Sequence, residues 1–258
     1  MNSYIINNGI IQIKFYSVLI LIAFALGYFL VIKECKKQGI PLTKISDMCF
    51  YFIVFSLLGA RIYYCLFNID YYKSNLLDIV KVWEGGLAIH GGIIGGFIYL
   101  YIYTKKSKLD LINLLDIFAP ALAIGQAIGR WGNFFNSEAY GPITTLETLK
   151  KLNIPNFIID GMYINSNYHH PTFYYESISC LIIFIILIVL RKSIKKHRGK
   201  IIGIYLILYG IVRFFIESLR QDSLMFFDFK VAQIVSIIML VLGILLFINS
   251  FKEYRNDK

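Results

Sequence analysis

The sequence predicts an all-α integral membrane protein: a bundle of seven transmembrane helices with a small extracytoplasmic cap. Three observations carry this. Of 258 residues, 57% are hydrophobic and only 16% are charged, against roughly 25% charged in soluble domains. The mean hydropathy is +0.64. The apolar residues fall in unalternating runs of about 20, the length that crosses hydrocarbon as a helix rather than as a barrel strand. A helix also satisfies its own backbone groups where no water is present.

The predicted spans are 13–32, 47–68, 85–104, 111–131, 173–190, 201–219 and 231–250. No basic stretch precedes the first run and no small-residue cleavage site follows it, so it reads as a retained span rather than a signal. The fourth is interrupted by Asn113, Asp116 and Pro120. The one long connection, about 132–172, forms the cap. The whole chain, 1–258, reads as a single transmembrane catalytic domain.

The basic residues set an orientation. Alternate loops at 33–44, 105–108, 191–200 and 252–258 carry sixteen of the 26 lysines and arginines. The positive-inside rule therefore puts the N-terminus outside and the C-terminus in the cytoplasm. This bias also accounts for the net charge of +10. No RNA- or DNA-binding pattern appears, so nucleic acid is not an expected partner. Cys35, Cys49, Cys65 and Cys180 have no CxxC spacing and read as small core residues rather than a disulfide or metal framework.

Six ionisable residues then fall in one layer. At 1.5 Å rise per residue, His90 lies about 9 Å in from the outer entry of the third span. Arg213 lies about 19 Å from the inner entry of the sixth, and Arg61 near 20 Å from the inner side, in a core roughly 30 Å thick. Arg130 and Glu138 fall at the outer end of the fourth span, and Glu176 at the outer start of the fifth. Ionisable groups are costly in hydrocarbon and usually functional there. Their shared depth implies one polar chamber facing the outer leaflet.

Each candidate has a structural and a chemical reading. Gly91, Gly92, Gly95 and Gly96 suit close helix packing, or close approach of a lipid headgroup. His90 between them is either a hydrogen-bonded structural residue or a general base. Tyr209, Arg213, Glu217 and Arg220 share one helix face. Arg213 and Glu217 form a structural pair there, or an arginine that grips phosphate with a glutamate orienting it. Arg130, Asn133 and Asn136 step by threes; they cap a helix end or meet phosphate and glycerol hydroxyls. His169 and His170 are adjacent and have no acidic cluster, which disfavours a metal site. Trp83 and Trp131 fit an interfacial aromatic belt.

The run Gly129–Gly141, Gly-Arg-Trp-Gly-Asn-Phe-Phe-Asn-Ser-Glu-Ala-Tyr-Gly, resembles the Gly-Arg-x-Gly-Asn-Phe-x-Asn-x-Glu-x-x-Gly signature of bacterial prolipoprotein diacylglyceryl transferases. His90-Gly91-Gly92 with Gly95 resembles that family's histidine–glycine segment. His170-Pro171 with Tyr175-Glu176 resembles its His-Pro-x-x-x-Tyr-Glu segment. Tyr209-Gly210, Arg213-Phe214, Glu217 and Arg220 resemble its Tyr-Gly-x-x-Arg-Phe-x-x-Glu-x-x-Arg segment. Phe15-Tyr16 resembles a Trp-Tyr-Gly element, with Phe for Trp and Ser17 for Gly. Asn113 and Asp116 also sit where the family has polar residues.

The resemblance implies a multi-pass enzyme of the bacterial cytoplasmic membrane. It would move a diacylglyceryl group from phosphatidylglycerol to the lipobox cysteine thiol of a preprolipoprotein, forming a thioether in the first step of lipoprotein maturation. On this reading His90 assists thiol deprotonation. Arg130 and Arg213 hold the phosphate, with Glu138 and Glu217 positioning them. Asn133, Asn136 and Gly141 shape the headgroup pocket, and Tyr209, Arg61 and Tyr16 line it. The chemistry needs no metal, nucleotide or redox cofactor. The rival readings are a transporter and a metal-dependent phosphatidyl transferase; neither an inverted repeat nor an aspartate cluster is visible.

Overall fold

The computed structural model describes residues 4–7, 12–193, 198–221 and 223–256. Lys195, Lys196 and Lys258, counted above among the inner-loop cations, lie outside the described residues. The chain is mostly helical. Among the described residues six helices are long and apolar enough to cross a membrane. Two compact units form: residues 32–114, and residues 1–31 together with 115–258.

The larger unit opens with a short hairpin, β1 (Tyr4–Asn7) and β2 (Gln12–Lys14), which runs into α1 (Phe15–Lys37). In the smaller unit α2 (Leu42–Phe67) is followed by the short α3 (Ile69–Ser74), two 3-10 turns and α4 (Ile89–Ser107). Then α5 (Leu111–Asn136) leads into a small irregular region. That region contains β3 (Ile143–Thr144), α6 (Leu146–Lys151), α7 (Asn156–Gly161), β4 (Tyr163–Ile164) and β5 (Asn167–His169). The three strands pair in the order β3-β5-β4. They close over a core of Leu149, Ile158, Met162, Phe134 and Phe173. Helices α8 (Thr172–Ser193) and α9 (Lys200–Leu219) follow. A hairpin of β6 (Met225–Phe226) and β7 (Phe229–Lys230) then leads to α10 (Val231–Asn256).

In the smaller unit, α2 and α4 pack backbone to backbone. A Cβ added at Gly59 would collide with the Gly91 carbonyl, and one at Gly91 with the Gly59 carbonyl. A Cβ at Gly95 would lie 2.6 Å from the Phe55 carbonyl oxygen. The glycine pattern of α4 is therefore used for close helix packing. The third apolar run becomes helical only at Ile89, not at 85. Gly85 and Gly86 have φ of +93° and +69°, which a helix does not accept.

In the larger unit, α9 and α10 use the same device. A Cβ at Gly243 would lie 2.8 Å from the Gly203 carbonyl oxygen. Ala119, Ala123 and Ala127 of α5 pack with Cys180, Ile183 and Leu187 of α8 and Ile202, Tyr205 and Tyr209 of α9. Cys35, Cys65 and Cys180 are buried and Cys49 is half-buried, with no disulfide among the described residues.

Pro120 lies inside α5, yet the helix runs on to Asn136, five residues past the predicted end at 131. The ring removes the donor that would bond the Asp116 carbonyl. Arg191 replaces it: its Nη2 donates to the carbonyls of Asp116 at 2.8 Å and Ile117 at 2.7 Å. The Asp116 side chain does a second job. Its carboxylate accepts the backbone N–H of Gly199 at 2.6 Å and of Ile202 at 2.7 Å. It thereby caps the first turn of α9 from another helix. Replacing Asp116 with Ala orphans these buried donors. The loss should be on the order of 1–3 kcal/mol, seen as a lower thermal midpoint of the purified protein in detergent, with Asp116→Asn less affected.

Candidate active site

The ends of three helices of the larger unit meet in one charged cluster. Glu176, in the second turn of α8, is 2% exposed. Its Oε1 lies 2.7 Å from Nη2 of Arg130 on α5, and its Oε2 lies 3.1 Å from Nη1 of Arg213 on α9. The Tyr209 hydroxyl donates to Glu176 Oε1 at 3.1 Å and accepts from Arg130 Nη2 at 3.3 Å. One turn beyond Arg213 on α9, Glu217 places Oε2 2.6 Å from Arg213 Nη2. Two guanidinium and two carboxylate groups thus share one buried site, with formal charges that cancel.

Each member is held by its helix. Tyr209, Arg213 and Glu217 recur at intervals of four on α9, so they line one face. At the end of α9, Lys230 Nζ donates to the carbonyls of Glu217 at 2.7 Å and Arg220 at 2.8 Å, as a cation suits a helix C-terminus. Between α5 and α8, Trp131 Nε1 donates to Ser177 Oγ at 3.1 Å, and Ser177 donates to the Ala127 carbonyl at 2.8 Å. That pair fixes Glu176, one residue away, against Arg130. Tyr16 of α1 packs against Gly132, where any Cβ would strike its ring, and Phe15 stacks on Phe135 at 4.3 Å.

A second polar group occupies the end of α5. Asn133 and Asn136 both donate to Glu138 Oε1, at 3.1 and 3.3 Å. Their spacing of three does put them on one side. Ser137 and Ala139 adopt left-handed φ of +53° and +58° and turn the chain back. A cavity of about 360 Å³ opens here, lined by Ser137, Glu138, Ala139, Tyr140 and Gln221. Gly141 donates its N–H to the His170 carbonyl at 2.8 Å, and a Cβ there would lie 2.9 Å from His170 Cβ. His169 Nδ1 lies 2.9 Å from the Gly141 carbonyl oxygen and His170 Nδ1 lies 3.1 Å from the Tyr175 hydroxyl. Both histidines thus brace the loop.

These contacts reassign two roles. Arg130 is oriented by Glu176 and Tyr209, whereas Glu138 takes up the two amides. Glu176 is the residue that sequence reasoning left without a role. Its depth was readable, but its partners are distant in the chain.

Arg61 and His90 belong to the smaller unit. Arg61 is 6% exposed, and its guanidinium acts as a clasp. Nε donates to the Ile79 carbonyl at 2.9 Å, Nη1 to Gly85 at 2.7 Å and Gly86 at 2.9 Å, and Nη2 to Asp78 at 2.5 Å and Lys81 at 3.3 Å. Arginine carries five N–H donors, so the loop takes all of them. His90 is exposed in the first turn of α4, its ring 6.2 Å from that of Tyr63. Among the described residues no three His, Cys, Asp or Glu side chains gather as a metal-ligand set.

The prolipoprotein diacylglyceryl transferase family model matches residues 3–249. The chain belongs to that family. It is 42% identical to the phosphatidylglycerol–prolipoprotein diacylglyceryl transferase of Staphylococcus xylosus over 251 residues, covering 97% of the chain and 90% of the relative. It is 45% identical to the like-named protein of Clostridium novyi over 241 residues, covering 93% and 92%. The Listeria monocytogenes relative is 44% identical over 236 residues, covering 92% and 85%. Membership in this transferase family makes the chain an enzyme and a multi-pass membrane protein.

Two outcomes test the site's construction. Arg61→Ala strips five donors from the 78–86 loop, so amide hydrogen exchange there should rise severalfold while α2 stays protected. Burial holds His170 below the usual imidazole range. The unfolded chain then binds that proton more readily, so stability falls as pH drops through about 6.5. The thermal midpoint should fall between pH 7 and pH 5.5, and His170→Asn should flatten that dependence.

Proposed function

We propose that the chain transfers a diacylglyceryl group from phosphatidylglycerol to the lipobox cysteine thiol of a preprolipoprotein. The observation that carries this reading is the meeting of Arg130 and Arg213, from separate helices, at one buried carboxylate. Planar guanidinium forks from two directions suit the non-bridging oxygens of a phosphodiester.

In this reading α4 is the seventh span. His90, four glycines and three tyrosines lower its hydropathy below that of the other six helices. The N-terminus faces outward and the C-terminus the cytoplasm. The end of α5, the start of α8 and the end of α9 then lie at the outer surface, and residues 137–171 form the extracytoplasmic cap. The substrates are amphiphilic, which suits a site within the outer leaflet of the bacterial cell membrane.

The reaction is displacement at carbon. The thiol loses a proton, sulfur bonds to the glyceryl carbon, and the bond from that carbon to the phosphate oxygen breaks. Glycerol phosphate leaves with the electron pair. Arg130 and Arg213 bind the phosphate and stabilise its charge as it departs. Glu217 orients Arg213. Glu138 holds Asn133 and Asn136 toward the headgroup's glycerol hydroxyls, and Gly141 keeps that loop close. Tyr16 backs the helix through Gly132. Tyr209 positions Arg130. Arg61 contributes by shaping its loop, since its donors are spent there. A thiol of pKa about 8.5 must give up its proton to attack, and His90 is the base the sequence offers for that proton.

Arg213→Ala should cut transfer by at least 10²-fold, the order seen when one oxyanion-stabilising donor is lost. The assay follows the mass of a lipobox peptide incubated with phosphatidylglycerol and purified enzyme. Wild-type-like transfer by a folded Arg213→Ala protein would remove the arginine from the mechanism.

A further inference from the structure

Glu176 presents a physical problem for an anion site. Arg130 and Arg213 already have an anion, and it is the least exposed member of the cluster. The Glu176 side chain is 2% exposed, against 21% for Arg130 and 14% for Arg213. Both guanidinium groups are thus more accessible than the carboxylate they share. Among the described residues, Glu176 is the one carboxylate that touches both arginines. Glu217 touches Arg213 alone, from one turn away on the same helix.

We propose that Glu176 is an internal counter-anion that competes with the lipid phosphate. With no lipid bound, it holds two like charges from different helices at one point. When a headgroup arrives, the arginines pass part of their donor capacity from the carboxylate to the phosphate oxygens. Tyr209 keeps its hydrogen bond to Oε1 and retains the carboxylate in place. The same competition then acts in reverse on the product. Glu176 reclaims the guanidinium donors and expels glycerol phosphate. It is a positioning residue acting through both arginines, and its cost in lipid affinity is what keeps product release fast. This inference rests on the reading that Arg130 and Arg213 bind the phosphate.

The test is Glu176→Gln, which keeps shape and hydrogen-bonding oxygen but removes the charge. Removing a negative charge a few ångströms from a bound anion relieves a repulsion large enough for about a tenfold effect. Phosphatidylglycerol should bind about tenfold tighter in mixed micelles, KM should fall with it, and inhibition by added glycerol phosphate should strengthen by a similar factor. The turnover number should fall as release slows. Glu176→Asp, a shorter carboxylate with a weaker hold on both arginines, should shift binding in the same direction by less. Unchanged or weakened lipid binding in either folded variant overturns the proposal and leaves Glu176 as scaffold. Arg130→Ala and Arg213→Ala serve as the separate control. If both still bind phosphatidylglycerol normally, the arginine reading itself fails, whatever the Glu176 variants do.

Discussion

A buried carboxylate shared by two arginines is the interaction on which this arrangement depends. Bringing charges out of water costs several kcal/mol per ion even after relaxation, and the attraction repays it only with good geometry. Here the geometry is bought by the fold. Three helix ends must coincide for Glu176 to reach Arg130, Arg213 and Tyr209 at once. Loss of Glu176 or of either arginine leaves an uncompensated charge, and loss of Tyr209 leaves a hydrogen bond unmade.

Much of the remaining structure serves to make those helix ends coincide. Asp116 and Arg191 secure the start of α9 and the proline-broken turn of α5 at the far end of the same helices. Trp131 and Ser177 fasten α8 to α5 beside the cluster, and Lys230 closes the end of α9. The glycine contacts between α9 and α10 allow no adjustment by sliding, because carbonyls already fill the space a side chain would need. The site is therefore the product of constraints applied at both ends of each helix.

The long helices were legible because hydrocarbon demands long apolar runs. Helices α8 and α9 lie within three residues of their predicted bounds at both ends, and each of the other five predicted runs holds one long helix shifted at an end by four to six residues. The departures have local causes. The third run gives up its first four residues to the Arg61 clasp. The fourth holds together across Pro120 because a side chain from another helix takes the carbonyls the proline leaves open, and it ends five residues past its predicted bound. Within the site, the Arg213–Glu217 pair was readable because it sits at helical spacing. Steps of three put Asn133 and Asn136 on one side, but their shared partner Glu138 was expected to position an arginine instead. The role of Glu176 was not readable, since pairing between α8 and α5 or α9 leaves no periodicity in the sequence. The contacts of Arg61 were unreadable for a related reason. Its acceptors are backbone carbonyls, and carbonyls carry no residue-type signature.

The Arg61 clasp also orders events during synthesis. The guanidinium enters the membrane with α2, whereas every carbonyl that neutralises its donors comes later in the chain. Until that loop emerges, water or lipid headgroups must solvate the charge. The segment has little hydrogen-bonded frame of its own beyond two short 3-10 turns, so its shape is imposed by a side chain already waiting at the end of a finished helix. A nascent chain stalled between the two would expose a cation that the mature protein keeps buried.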